Sequence, residues 1–248
     1  MSKFAHDAVV PDSESGLEKK EQVARMFDSI AFRYDFLNRF LTAGTDIRWR
    51  KKAIGELKDI HPQQILDVAT GTGDLAIMSW QILQPQKITG IDISEGMLEL
   101  GRKKLENLRL SDKIELLKGD SEELPFSDNS FDAITVAFGV RNFQNLQQGL
   151  AEMLRVLKPG GKLVVLEFSK PPNALFRALC NFYTNVITPA VGRLFAKNRG
   201  AYQYLNDSVQ AFPEGPDFTV ILQKTGFHDT RFKRLSGGIC SIYTGIKH

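Results

Sequence analysis

Cysteine occurs only twice in this chain of 248 residues, as Cys180 and Cys240. So small a supply argues against a disulfide framework and a cysteine-ligated zinc site, and it fits a reducing cytoplasm. Histidine is scarce too, limited to His6, His61, His228 and His248. No grouping of His, Cys or carboxylates has ligand spacing, so no metal site is implied. No run reaches the roughly 20 apolar residues that a membrane span requires, and the start, Met1 to Asp7, lacks the apolar centre of a signal peptide. A formal charge of +3 is too mild to argue for a nucleic-acid surface. The expectation is a cytoplasmic protein, soluble or peripheral at the inner membrane surface, without nucleic acid as a partner.

Glycine, in contrast, sits where it carries information. The run Ile65 to Ala76, with Gly71 and Gly73, reads as a buried strand turning through two glycines into a helix. Glycine accepts positive φ and close ligand approach, and the free N–H groups of the helix start face the same space. The pattern fits G-x-G-x-x-A, and Asp92 closes the next apolar run 21 positions after Gly71, the spacing of a dinucleotide-binding unit. A nicotinamide oxidoreductase is therefore a rival reading. Charge separates the two: Asp67 and Asp74 would flank the place where a pyrophosphate must rest and would repel it. S-adenosylmethionine has no phosphate and carries a sulfonium and an ammonium group, which carboxylates attract. Asp92 would accept from both ribose hydroxyls. The plainer alternative is that Asp67 and Asp74 only cap the helix start. Gly119-Asp120-Ser121 ends a third strand in register with the other two, where Asp120 could accept from the adenine amino group.

Along the chain, residues 1–16 are polar and read as a disordered tail, and residues 17–248 as one domain. Helices are expected over 17–60, with a break at Ala43-Gly44-Thr45-Asp46. Strand-like runs at 64–69, 87–92, 113–118, 131–138 and 162–168 alternate with helical stretches at 74–83, 95–108 and 143–157. That alternation predicts an α/β, Rossmann-like doubly wound sheet with a parallel core. A helix from Pro216 to Lys224 then leads to strands at 227–235 and 238–246, whose short link predicts an antiparallel hairpin. A parallel sheet closed by such a hairpin is the usual class I methyltransferase architecture, and a nicotinamide enzyme does not normally end that way.

Several motifs go further. Tyr34-Asp35-Phe36-Leu37-Asn38 with Leu41-Thr42 and Arg48-Trp49 forms one; Arg155 to Ser169, containing Leu157-Lys158-Pro159-Gly160-Gly161 and Leu166-Glu167-Phe168-Ser169, forms another. Between them stand Leu124-Pro125-Phe126 and Phe138-Gly139-Val140-Arg141-Asn142. In these the chain resembles the membrane-quinone C-methyltransferases, the family acting on demethylmenaquinol and on the polyprenyl benzoquinol of ubiquinone synthesis, from about residue 20 onward. It departs from the family at Leu37 for Met, Thr42 for Ser and Asp46 for His. The resemblance implies that Thr72 in the glycine turn, Asp92, and the pair Asp120-Ser121 contact S-adenosylmethionine. It also places Arg141 and Asn142 beside the quinol, with Tyr34 nearby.

Methyl transfer to carbon needs an electron-rich ring, and a hydroquinone provides one when a phenol loses its proton. No histidine lies at a strand's carboxyl end, which argues against a His base. Arg141 is too weak an acid to serve as a base, but its charge would stabilise a phenolate while water removes the proton. Arg141 tying two loops together is the structural alternative, and Glu167 acting through water is a lesser one. Over 174–195, Leu175, Leu179, Phe182 and Val186 fall at helical spacing, within an expected substrate-covering insertion at 170–212. Such a face suits an isoprenoid groove, a membrane surface, plain core or a homodimer contact. The expected activity is S-adenosylmethionine-dependent methylation of demethylmenaquinol, with the benzoquinol as second substrate reading. A nicotinamide oxidoreductase and a non-catalytic scaffold are the distant readings.

Overall fold

The computed structural model describes residues 4–174 and 199–248. Its centre is a seven-stranded sheet in the order β3-β2-β1-β4-β5-β7-β6. The strands are β1 (Gln64–Val68), β2 (Lys87–Asp92), β3 (Ile114–Lys118), β4 (Phe131–Ala137), β5 (Leu157–Phe168), β6 (His228–Leu235) and β7 (Cys240–Ile246). The first five pair in parallel, and β7 runs antiparallel between β5 and β6. The expected parallel core and closing hairpin are both present. Chain order reverses between β1 and β4, and in open α/β sheets ligands collect outside the strand ends at such a switch point.

Buried Ile, Leu and Val on both faces of β1 and β4 explain why their sequences read as nearly continuous apolar runs. One face is covered by α3 (Asp74–Leu83), α4 (Glu95–Leu108) and α2 (Thr45–Gly55); the other by α5 (Leu146–Val156) and α7 (Pro216–Thr225). The last of these starts with Pro at its first position and stops at Gly226, whose φ of +114° suits glycine alone. The strand expected at 162–168 begins earlier, at Leu157. Leu157 pairs with Phe131, and the register shifts before Lys162 meets Ala133, so Pro159-Gly160-Gly161 falls at an irregularity within the strand.

Two further elements lie over the strand ends. The long helix α1 (Lys19–Leu41) packs along α4, and α6 (Arg199–Ala211) follows the segment outside the described residues. The amphipathic face expected over 174–195 lies outside those residues from Leu175 onward. Residues 1–16, read from composition as a disordered tail, depart from that reading where they are described. Ala5–Ala8 forms a 3-10 turn, and His6 is fully buried between Phe4 and Phe212, at ring separations of 5.9 and 5.4 Å. Lys19 Nζ donates to the His6 carbonyl at 2.6 Å. Two anchoring side chains in a polar stretch, Phe4 and His6, suffice, because composition averages over residues whereas packing does not.

Candidate active site

The chain leaves β1 through Ala69, held at φ +53°, then Gly71 at +58° and Gly73 at +79°. A Cβ on Gly71 would meet nothing within 4 Å, so glycine is needed there for its conformation, not for lack of room. Thr70 N donates to Ile91 O at 2.9 Å, tying the turn to β2. Asp92, at the end of β2, accepts from Gly71 N at 2.8 Å through one oxygen and from Ser94 N at 2.9 Å through the other. Burial pushes its carboxyl up to about 6 against the pull of those backbone donors. Gly119 N bonds to Asp92 O at 3.0 Å, and Asp120 Oδ1 then accepts from Glu122 N at 2.8 Å. Three adjacent strand tips thus present a pre-shaped rim.

That rim borders a cleft that encloses about 670 Å³ of space, part of it open solvent. Its charged wall residues are Asp92, Asp120, Glu122 and Lys20. Three carboxylates against one ammonium favour a ligand with positive charge over a diphosphate. Gly71 and Ser121 also line the cleft, as do Tyr34 and Asn142. Helix α1 forms the opposite wall. Its Asp28 accepts from Ser94 Oγ at 2.6 Å and Gly96 N at 2.9 Å, at the start of α4. Its Lys20 donates to Asp120 Oδ2 at 3.2 Å.

The carboxylates singled out from sequence as flanking the turn do other work. Asp67 is 1% exposed, and its two oxygens accept from Thr70 and Thr135 hydroxyls, both at 2.6 Å. Burial raises its carboxyl to about 6, opposed by those hydroxyls. Asp74 faces Lys104 Nζ at 2.8 Å and Arg39 at 3.7 Å; burial pulls it upward, but Lys104 and the arginines hold it below the ordinary range. Neither lines the cleft, so the charge argument moves to Asp92, Asp120 and Glu122. Thr72 also points elsewhere: its hydroxyl donates to Asp35 at 2.7 Å and accepts from Lys104 at 2.8 Å. Thr72 and Gly73 brace the turn from behind, while Gly71 borders the cleft. In Tyr34-Asp35, one side chain enters the cleft wall and its neighbour locks α1 to the turn.

On the far side of the switch point, β4 ends at Phe138, again at positive φ, +59°. Two neighbouring non-glycine residues in this conformation, Ala69 and Phe138, concentrate strain at the two strand ends that frame the cleft. A Cβ on Gly139 would lie 2.6 Å from the Cβ of Ala69, so the two turns pack too closely for any other residue. Phe138 rests against Phe168 and Trp49, with the Arg50 guanidinium over its ring. Asp46, the departure from the family's histidine, is buried and pairs with that Arg50 while accepting from Thr42.

The turn Val140–Asn142 then carries the expected pair. Arg141 is 5% exposed and does not line the cleft: Nη1 donates to Glu167 Oε1 at 2.8 Å and to Phe138 O at 2.5 Å, above the Phe168 ring. Glu167 is wholly enclosed, and burial raises its carboxyl despite Arg141. Asn142 donates to Phe138 O at 3.4 Å and does reach the cleft wall. Tyr34 packs edge-on to Phe27 at 5.8 Å, and burial raises its phenol, so it stays protonated at neutral pH. Arg141, Asn142 and Glu167 are thus brought together, Tyr34 and Asn142 share the cleft, and Arg141 sits one layer behind. Sequence reasoning passed over Glu122 and Lys20. Glu122 adjoins the Asp120-Ser121 pair, and an acidic residue directly after a strand end was the available signal.

Comparison with known proteins bears on the family and the fold. The model of the ubiE/COQ5 methyltransferase family matches residues 16–247. The chain is 47% identical over 244 residues, 98% of its length, to a demethylmenaquinone methyltransferase of Bacteroides fragilis, of which it covers 99%. It is 46% identical over 231 residues to the ubiquinone/menaquinone biosynthesis C-methyltransferase UbiE of Geobacter sulfurreducens, covering 93% of this chain and 90% of that one. In fold it is similar to a solved S-adenosylmethionine-dependent methyltransferase from Thermotoga maritima. That likeness has a TM-score of 0.63 at 20% identity, over 91% of this chain and 99% of the other.

Proposed function

The chain belongs to the ubiE/COQ5 methyltransferase family, and from that premise we propose that it methylates a ring carbon of a polyprenyl hydroquinone, with demethylmenaquinol as the acceptor. The observation that carries the reading is the cleft itself. Acidic strand tips surround the glycine turn on one side, and the Arg141-Asn142 turn closes the other.

S-adenosylmethionine supplies an electrophilic methyl group on a sulfonium. The residues present fit it: Asp92 would hold the ribose hydroxyls, Asp120 with Ser121 the adenine edge, and Gly71 would let the backbone approach. Asp92, Asp120 and Glu122 together favour its positive charge. On the acceptor side, Asn142 and Tyr34 orient the quinol ring from the cleft wall. Arg141, locked by Glu167 and Phe138 O, supplies a fixed positive charge behind Asn142 that favours a phenolate. In the reaction the ring carbon forms a bond to the methyl carbon, the carbon–sulfur bond breaks, and the ring carbon loses its proton to water. A fixed cation costs no reorganisation as charge develops, which is why Arg141 serves better buried and clamped than exposed.

The relative named for both quinones keeps the benzoquinol as a second acceptor. Among the described residues no helix is long and apolar enough to cross a membrane. Two measurements test the reading. Calorimetry should detect S-adenosylmethionine binding and no comparable NAD binding. Incubation with a short-tailed demethylmenaquinol should give a product one methyl heavier on carbon; its absence would overturn the proposal.

A further inference from the structure

The described residues include buried polar atoms without hydrogen-bond partners, and several gather around one helix. Arg141 Nε, Asn142 Oδ1 and the Tyr204 hydroxyl are all orphaned. They come from two elements in contact, the Val140–Asn142 turn and α6. Tyr204 is 3% exposed, on a face of α6 that continues through buried Ser208 to Phe212, four residues apart each time. Its ring packs with Val23 and Met26 of α1, and Val23 lines the cleft. Arg141 and Glu167 are near enough for their charges to act on its hydroxyl, and burial keeps the phenol protonated well above its ordinary range.

An unsatisfied buried donor or acceptor costs about 1–3 kcal/mol, so three of them in one neighbourhood need an explanation. A purely structural tyrosine would be bonded, as Tyr243 is to Gly215 N at 2.8 Å elsewhere in this fold. Phenylalanine would fill the Tyr204 site equally well and leave no orphan. Asn142, the one member of the group already in the cleft wall, marks the direction from which a partner would come.

We infer that Tyr204 is a substrate-binding residue, whose hydroxyl donates a hydrogen bond to a quinol oxygen that enters between Asn142 and Val23. The inference rests on the quinol reading above. The hydroxyl lies one side chain behind the cleft wall, so engagement requires Val23 to move aside as the ring seats. A protonated phenol serves as the neutral donor, Asn142 Oδ1 is the acceptor for the quinol O–H, and the Arg141 charge lies behind both. Recognition thus demands a ring bearing oxygen and discriminates against a purely hydrocarbon ring.

The test is Tyr204→Phe in the full chain, with a short-tailed demethylmenaquinol as the varied substrate. Removing a hydroxyl that has no partner in the free protein should leave Tm unchanged or raise it. The affinity for S-adenosylmethionine should hold, while kcat/KM for the quinol falls about three- to tenfold, the worth of one neutral hydrogen bond. A lowered Tm would show that the hydroxyl is bonded in the free protein, and an unchanged kcat/KM would show that the quinol does not use it; either result overturns the inference. Failure of the wild-type chain to methylate the quinol would instead remove the functional reading on which this one stands.

Discussion

The two sides of the cleft treat their polar groups in opposite ways. Around β1, β2 and β3, each carboxylate that shapes the site has partners within the chain. Asp92 takes Gly71 and Ser94 N–H groups, Asp120 takes Glu122 N and Lys20, and Asp67 takes two hydroxyls. Beyond the switch point, Arg141, Asn142 and Tyr204 keep atoms that are buried and unpaired. The first arrangement is a mould set before any ligand arrives, and the second is complete only with something in it. A site for a donor of constant shape can be prebuilt, whereas a site that must take an oily, tailed acceptor gains from groups whose bonding is finished by that acceptor.

The sharpest way to break this comparison is Arg141→Ala. If the acceptor side alone carries the transfer chemistry, methyl transfer should fall about 100- to 1,000-fold, as expected for loss of a fixed electrostatic stabiliser. Calorimetry should find S-adenosylmethionine affinity unchanged, because Arg141 does not line the cleft. The substitution also leaves Glu167 buried without its cation, a destabilisation of about 3–5 kcal/mol. Adding Glu167→Gln separates the two effects: denaturant unfolding should show stability restored while activity stays lost. Equal loss of donor binding and transfer in the stabilised double variant would mean that the two sides are not separate.

Asp92→Ala should do the converse, weakening S-adenosylmethionine about 100-fold. It removes the ribose acceptor and also frees the Gly71 and Ser94 N–H groups that hold the turn in shape. Saturating donor should then recover most of the turnover on the quinol. Turnover that stays low at saturating donor would place Asp92 in the chemistry and blur the division.

The same contrast explains what could be read from the chain. Strand periodicity, the two glycines and Asp92 are local signals, and they located the sheet, its hairpin and the strand tips that border the cleft. Whether a carboxylate faces the cleft is not local. Asp67 and Asp74 bracket the turn in sequence, yet Thr135 comes from β4 and Lys104 from α4 to occupy them. Arg141 and Asn142 were legible as a pair through family resemblance, but the Glu167 clamp joins separate strand ends, and Tyr204 lies 62 positions beyond Asn142 with no motif around it. His6 shows the same limit at the start of the chain, where a polar composition conceals a buried anchor.

Asp74 offers the finest test, because sequence and structure assign it opposite parts. Read from sequence, its carboxylate helps draw a cationic donor into the turn. In the fold it is matched by Lys104 at 2.8 Å and Arg39 at 3.7 Å, and it lies outside the cleft wall. A carboxylate neutralised by two cations projects little field onto a ligand, and solvent screening reduces the remainder. Asp74→Asn should therefore change S-adenosylmethionine affinity by less than about threefold, measured by calorimetry at low and high salt. Removing its charge frees Lys104, which still holds Asp35 at 2.5 Å and so keeps α1 against the turn. A larger loss that shrinks as salt is added would return Asp74 to the role its position in the sequence suggests. The acidic character of the rim would then extend behind the wall as well as along it.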